Sequence, residues 1–199
     1  FCPECGHAIE ATPSPATYTP GHLRDLILTI RSAIEGERKQ VSVVFCDIVR
    51  SPELAAQAGP GEYHRVVDSF FALALAEVHR YEGTVNQFLG DGFMALFGAP
   101  IAHEDHARRA ALAALAVKER SEIDVRIGIN TGYASVGDYG SPGRKTYSAI
   151  GVQTNLAARI ESMCTPGRVL ISDTTWALVR DQFHGEDKGE FTFKGLHYP

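Results

Sequence analysis

The sequence predicts an α+β domain in which helices cover a mainly antiparallel sheet, in the order βαββαβ with additions. Three observations lead there. The stretch "QVSVVFCDI" from Gln40 to Ile48 is dense in Val and Phe, which suits a strand buried on both faces. Segments with apolar residues at helical spacing alternate with such strands along the chain. Two apolar runs, "GTVNQFL" and "FMALFG", flank Gly90-Asp91-Gly92, where glycine permits the positive φ of a tight hairpin.

Composition sets outer limits. A chain of 199 residues leaves room for one domain of catalytic size plus a short extension. Its 44% hydrophobic and 22% charged content is ordinary for a globular protein. A net charge of -5 argues against a nucleic-acid surface, and no apolar stretch approaches the length of a membrane span. The chain starts at Phe1 with no visible signal peptide, so we expect a piece of a longer protein.

The elements follow in order. "CPECG" holds Cys2 and Cys5 in a C-x-x-C knuckle, half of a tetrahedral zinc site. It reads as part of a zinc ribbon or as two free thiols, and both readings suggest a reducing, cytoplasmic compartment. The Pro- and Thr-rich "ATPSPATYTP" is a linker, so residues 1–20 form a partial knuckle and linker. Leu23, Leu26, Ile27, Ile30 and Ile34 recur at helical spacing and predict an amphipathic helix over 21–37. The main domain takes up residues 38–199 and begins with the strand ending at Asp47 and Ile48. A helix over "EYHRVVDSFFALALAEVHRY" follows, lined on one side by Val66, Val67, Phe70, Phe71, Ala74 and Val78. After the hairpin comes a helix over "HEDHARRAALAALAVKER", with Glu104 and Asp105 expected in its first turn. "IDVRIGINTG" and "YASVGDYG" predict another pair of strands. Then come a helix over "QTNLAARIESMC", a strand at "RVLIS", a helix over "DTTWALVRDQF" and a last strand at "GEFTFKG".

Two aspartates are oddly placed. Asp47 ends the first apolar strand and Asp91 sits at the hairpin tip. A sheet that sets these strands side by side brings both carboxylates to one edge, where they repel unless a cation lies between them. Mg²⁺ takes oxygen ligands, often one or two carboxylates plus substrate phosphates. The pattern therefore suggests a metal site for a nucleotide. Taken singly, each aspartate has a plainer reading as a turn residue.

Five pieces in order resemble the class III nucleotide cyclases: "FCDIVRS", "NQFLGDGFMALFG", "VRIGINTG", "GVQTNLAARIESM" and the late "FKG". The resemblance covers residues 38–199 and implies a ferredoxin-like βαββαβ catalytic core. "CPECG", "ERKQVSVVFCD" and "FGAPIAHEDHARRA" look closest to bacterial cyclases that carry a zinc ribbon and continue into ATPase and helical-repeat regions. Downstream domains are thus implied, with Zn²⁺ on Cys2 and Cys5 in the intact ribbon.

The resemblance implies a mechanism. The ribose 3′-oxygen of ATP attacks the α-phosphate, pyrophosphate leaves, and 3′,5′-cyclic AMP forms with two Mg²⁺ or Mn²⁺ ions. By position Asp47, Asp91 and the backbone carbonyl of Ile48 would hold the metals. Asn155 and Arg159 lie four apart, on one helix face. Asn155 matches the residue that orients the ribose, and Arg159 the one that stabilises the pentavalent phosphate. Lys194 matches the grip on the terminal phosphates. Sites of this family form between two protomers, so a homodimer is implied, with no nucleic acid and no membrane as partner.

Gln87 and Ser148 fall at the two base-reading positions. Adenylate cyclases usually carry lysine at the first and guanylate cyclases glutamate. Gln87 offers both a donor and an acceptor, and the Ser148 hydroxyl is equally two-sided. ATP is the favoured substrate on the resemblance; a guanylate or loosely selective cyclase is the alternative. Arg50 and Pro52 depart from the family, which commonly has glycine and threonine there. A diguanylate cyclase would want an acidic residue where Gly92 stands. A non-catalytic regulatory module is the reading from another class. His103 and His106 in "HEDH" read as an exposed polar helix start, and Trp176 and Phe183 as core.

Overall fold

The structure, a computed structural model, describes residue 21, residues 37–141 and residues 144–192. Along them run β1 (Glu37–Ile48), α1 (Ser51–Arg80), β2 (Thr84–Leu89), β3 (Gly92–Phe97), α2 (His106–Arg120), β4 (Val125–Ser141), β5 (Arg144–Ile150), α3 (Val152–Met163), β6 (Arg168–Ile171) and α4 (Asp173–Val179). The strands form one sheet in the order β2-β3-β1-β4-β5, with β6 parallel to β4. β1 lies antiparallel between β3 and β4, and β2 antiparallel to β3. This is the expected α+β βαββαβ arrangement, with β5, α3, β6 and α4 added.

Period-two alternation on β1 divides the interior. Val44, Cys46 and Ile48 join a core with Phe93, Ala95, Phe97, Ile127 and Ile129, covered by Phe70, Ala74 and Val78 of α1 and Ala110, Ala114 and Val117 of α2. Val41 and Val43 face the other way and join Met94, Leu96, Ala134, Val136 and Ala157 of α3. β1 is thus buried on both faces.

The helix α3 lies against β4 because glycines let it. A Cβ on Gly128 would stand 2.2 Å from the backbone nitrogen of Glu161, and one on Gly132 would stand 2.6 Å from Cδ of Gln153. Sequence alone reads "IDVRIGINTG" and "YASVGDYG" as two separate strands. The structure corrects this: residues 125–141 are one continuous strand, and its hairpin partner is β5. Gly132 is a contact rather than a bend.

Other boundaries shift for local reasons. Glu37 opens β1 instead of closing a helix. The helix expected from Glu62 begins at Ser51, in two segments that meet at Gly59 (φ 73°) and Pro60. α2 starts at His106, so Glu104 and Asp105 precede its first turn, and Asp105 takes Arg109 Nε at 2.6 Å. α4 buries Thr175 and Val179; Trp176 and Phe183 are half-buried rather than core. Residues 189–192 form no strand. Cys2, Cys5, the linker, the apolar positions Leu23 to Ile34 and Lys194 lie outside the described residues. Among the described residues no helix is long and apolar enough to cross a membrane.

Gly128→Ala is expected to lose about 3 kcal/mol or more in urea unfolding, because backbone must move to admit the methyl group. At Gly61, in the helical part of α1, a Cβ would meet nothing within 4 Å. Gly61→Ala should therefore gain about 0.5–1 kcal/mol in the same measurement.

Candidate active site

The β1–β3 register sets Asp47 opposite Gly92, the residue after Asp91. Asp91 occupies the short loop between β2 and β3, where Gly90 takes φ 69°. Both carboxylates therefore reach one sheet edge, as the sequence suggests. Arg126, the register partner of Asp47 on β4, donates from Nη2 to Asp47 Oδ2 at 2.9 Å. Ser51, the first residue of α1, donates its hydroxyl to Asp91 Oδ2. Burial pushes the Asp47 carboxyl above the ordinary aspartate range; the hydrogen bond from Arg126 pulls it down, and the Asp91 charge pushes it up again. Glu161 of α3 joins the group, with Oε1 3.4 Å from Arg126 Nε. Burial raises its pKa, Arg126 opposes, and Asp47 and Asp91 add to the rise.

Gly92 keeps the edge open. A Cβ there would stand 2.5 Å from the Cys46 carbonyl oxygen and 3.0 Å from Asp47 Oδ1. Gly92 stands where a diguanylate cyclase would carry a second acidic side chain, and this backbone leaves no room for one. Asp47 takes Arg126 on Oδ2 and feels the charge of Asp91 nearby. Hard oxygen donors brought together against their mutual repulsion fit a hard divalent cation. Among the described residues no group of three or more His, Cys, Asp or Glu side chains is placed to hold a metal. Asp47 and Asp91 would thus need further oxygens, and Ile48, the last residue of β1, offers a backbone carbonyl beside them.

A second cluster forms around the base-reading positions. β2 bulges at Asn86: Val85 pairs with Ala95, Gln87 pairs with Met94, and Asn86 is the extra residue. Gln87 is exposed on this strand. Asn86 is only 2% exposed and donates from Nδ2 to Ser148 Oγ at 3.0 Å. Ser148 lies on β5, at the far end of the strand order, opposite Gly137 of β4, so its hydrogen bond with Asn86 brings the two end strands together.

α3 carries Asn155 and Arg159, the first exposed and the second half-buried. Its start is pinned. The fully buried Asn130 donates to Gln153 O at 3.0 Å and Gln153 Oε1 at 2.8 Å, and Thr154 Oγ1 donates to Ala149 O at 3.1 Å. Ile150 and Val152, 52% and 50% exposed, flank Gly151 just before it. Sequence reasoning missed Ser51, Asn86, Arg126, Asn130 and Glu161. Only Asn86 left a trace, since "NQ" breaks the alternation of β2 and two successive polar residues in a strand mark a bulge.

Two departures are now explicable. Arg50 adopts a left-handed conformation (φ 54°) as α1 begins, which is why glycine suits that position. His103 Nε2 meets Glu82 Oε2 at 2.8 Å, whereas His106 is buried with Nδ1 2.9 Å from Ser42 Oγ. The two rings take different partners. Contrary to the expectation of an exposed helix start, His106 belongs to a buried polar chain running through Ser42, Thr131 and Thr175.

Comparison with known proteins agrees with this geometry. A family model described as the Adenylate and Guanylate cyclase catalytic domain matches residues 34–198. The chain is 38% identical over 149 residues to the uncharacterized protein Rv1318c of Mycobacterium tuberculosis, covering 71% of this chain and 28% of that protein. It therefore spans little more than a quarter of that relative. Among solved structures it is similar to the adenylyl cyclase CyaB from P. aeruginosa (30% identity, TM-score 0.79, 83% of this chain and 93% of that one). It is also similar to the guanylyl cyclase Cya2 (31% identity, TM-score 0.74, 83% of this chain and 91% of that one).

The raised Asp47 pKa has a definite sign. The folded chain binds the proton more tightly than the unfolded one, so metal-free protein loses stability as pH rises from the ordinary aspartate value through the folded one. Asp91→Asn removes the repulsion. Burial, the larger cause, remains, so the substitution should lessen this loss and raise the melting temperature in EDTA at pH 7 by about 2–4 °C, read by thermal unfolding from pH 4 to 7.

Proposed function

Because the chain belongs to the family of adenylate and guanylate cyclase catalytic domains, we propose that it is an adenylate cyclase, converting ATP to 3′,5′-cyclic AMP and pyrophosphate. The observation that carries this reading is the convergence of Asp47 and Asp91 at one sheet edge through the Asp47–Gly92 register. The likeness to CyaB supports ATP, whereas the comparable likeness to Cya2 favours a second reading, a guanylate or loosely selective cyclase at the same site.

In this reading Asp47, Asp91 and the Ile48 carbonyl would hold two Mg²⁺ or Mn²⁺ ions, which would supply Lewis-acid chemistry toward the ribose 3′-hydroxyl and the triphosphate. Ser51 and Arg126 hold the two aspartates in place from behind. The bond from the 3′-oxygen to the α-phosphorus forms as the bond from that phosphorus to the bridging oxygen breaks. The hydroxyl proton passes to solvent and pyrophosphate departs. Arg159 offers a fixed, always-charged fork to the pentavalent phosphate, Asn155 orients the ribose, and Lys194 binds the terminal phosphates. Gln87 and Ser148 read the base.

The site is composite, between two copies of the chain. One protomer supplies Asp47 and Asp91; its partner supplies Gln87, Ser148, Asn155, Arg159 and Lys194. The half-exposed apolar Ile150 and Val152 beside α3 support a partner surface there.

Purified protein with Mn²⁺ and ATP, GTP, CTP or UTP in separate tubes, analysed by mass spectrometry, tests the reading. Cyclic AMP is the expected product. Asp47→Ala and Arg159→Ala should each lower kcat by about 10²-fold or more. Mixing the two inactive variants should restore about a quarter of wild-type activity, because half the dimers are mixed and each has one intact site. Cyclic GMP would move the assignment to the second reading. No cyclic product from a folded dimer would point to a regulatory module.

A further inference from the structure

We propose that Asn86 is a specificity-determining residue: by taking the proton of the Ser148 hydroxyl, it lets that serine accept from the 6-amino group of adenine. The proposal rests on the nucleotide cyclase reading above, in which Ser148 meets the base. Asn86 is placed behind Ser148, not against substrate, so it acts as a positioning residue.

The argument starts from a bulge. Asn86 is the extra residue of β2, buried at 2% exposure, and its amide meets Ser148 Oγ at 3.0 Å. Its neighbour Gln87 is exposed on the same strand. One strand therefore presents a reader outward and a second polar group inward, onto the other reader.

A serine hydroxyl has one proton and two lone pairs. When Asn86 Nδ2 donates to Ser148 Oγ, the serine proton is left to point at the base. That suits O6 of a 6-oxo purine. When the carboxamide turns over, Oδ1 takes the serine proton and Oγ presents only lone pairs to the base. That suits the N6–H of a 6-amino purine. Asn86 Oδ1 has no hydrogen-bond partner within the described residues. Either orientation leaves one amide atom unpaired, so the surroundings select neither and the nucleotide decides.

Removing the amide is not symmetrical. With an apolar residue at position 86, Ser148 still donates to a 6-oxo group at no loss. To accept from a 6-amino group, however, it must turn its own proton toward the apolar side chain, where no acceptor meets it. Asn86 is thus what makes serine a workable adenine reader. A bulge anchor alone would affect both purines equally.

The test compares dissociation constants for 3′-deoxy-ATP and 3′-deoxy-GTP, which lack the attacking hydroxyl, by calorimetry with Mn²⁺, alongside kcat/KM for ATP and GTP. Asn86→Leu keeps the number and branching of heavy side-chain atoms. It should lower the ATP:GTP preference about tenfold, the effect of one orphaned buried donor. Asn86→Asp retains an acceptor and should hold the preference within about threefold of wild type. In a Ser148→Ala background the Asn86→Leu shift should vanish. Circular dichroism and melting confirm that each variant is folded; should Asn86→Leu not fold, Asn86→Thr, which shortens the side chain beyond reach of Ser148, replaces it with the same expected shift. No change in preference, or a shift that persists without Ser148, overturns the proposal while leaving the cyclase reading intact. If Ser148→Ala and Gln87→Ala both leave the two dissociation constants unchanged, the base-reader assignment falls and the proposal falls with it.

Discussion

The carboxylates of Asp47 and Asp91 repel each other, and much of the surrounding structure is arranged around that repulsion. A protein that held only stability in view would not bring two acids to one half-buried edge. Here Arg126 counters one of them, Ser51 donates to the other, and Glu161 sits against the same arginine. Gly92 keeps a side chain out of the space between them. The result is an edge that keeps an excess of negative charge, at a cost to the stability of the fold. The cyclase reading proposed above gives that excess a use.

Helix α3 ties this edge to the rest of the site. It rests on β4 at Gly128 and Gly132, where any side chain would push it off. Its first turn is anchored by Asn130 through Gln153, and its far end delivers Glu161 to Arg126. Asn155 and Arg159 lie between those two anchors. Their positions follow from the close approach of helix and strand backbones, so the glycines of "RIGINTG" serve the site without touching it. The interior beyond is held by hydrogen bonds of another kind. His106, Ser42, Thr131 and Thr175 form a buried chain that fastens α2 and α4 to the sheet. A motif that looks ligand-like in sequence is here a satisfied core group, and its neighbour His103 is turned away to Glu82.

The legible part of this protein was local. A dense run of Val and Phe marked β1, the Gly-Asp turn marked the hairpin, and four-residue spacing put Asn155 and Arg159 on one face. Where the reading failed, a residue had a long-range reason to be what it is. The two strands read on either side of Gly132 are one, and that glycine makes room for Gln153, on a helix that only folding brings over it. β5 went unread because its pairing with the far half of β4 has no signature in its own residues. Arg126 is 79 residues from Asp47 and Asn86 is 62 from Ser148; neither pairing leaves a pattern that a window of neighbouring residues could reveal.

By itself, then, the sequence determined the fold class, the two aspartates at one sheet edge and the helix that carries Asn155 and Arg159, because each depends on periodicity or on turn chemistry within a few residues. Only the tertiary structure decided how the acids are balanced, which glycines are contacts and which group meets Ser148. Those depend on register and on the approach of backbones distant in sequence, where a single Cβ or a single hydrogen bond settles which side chains meet.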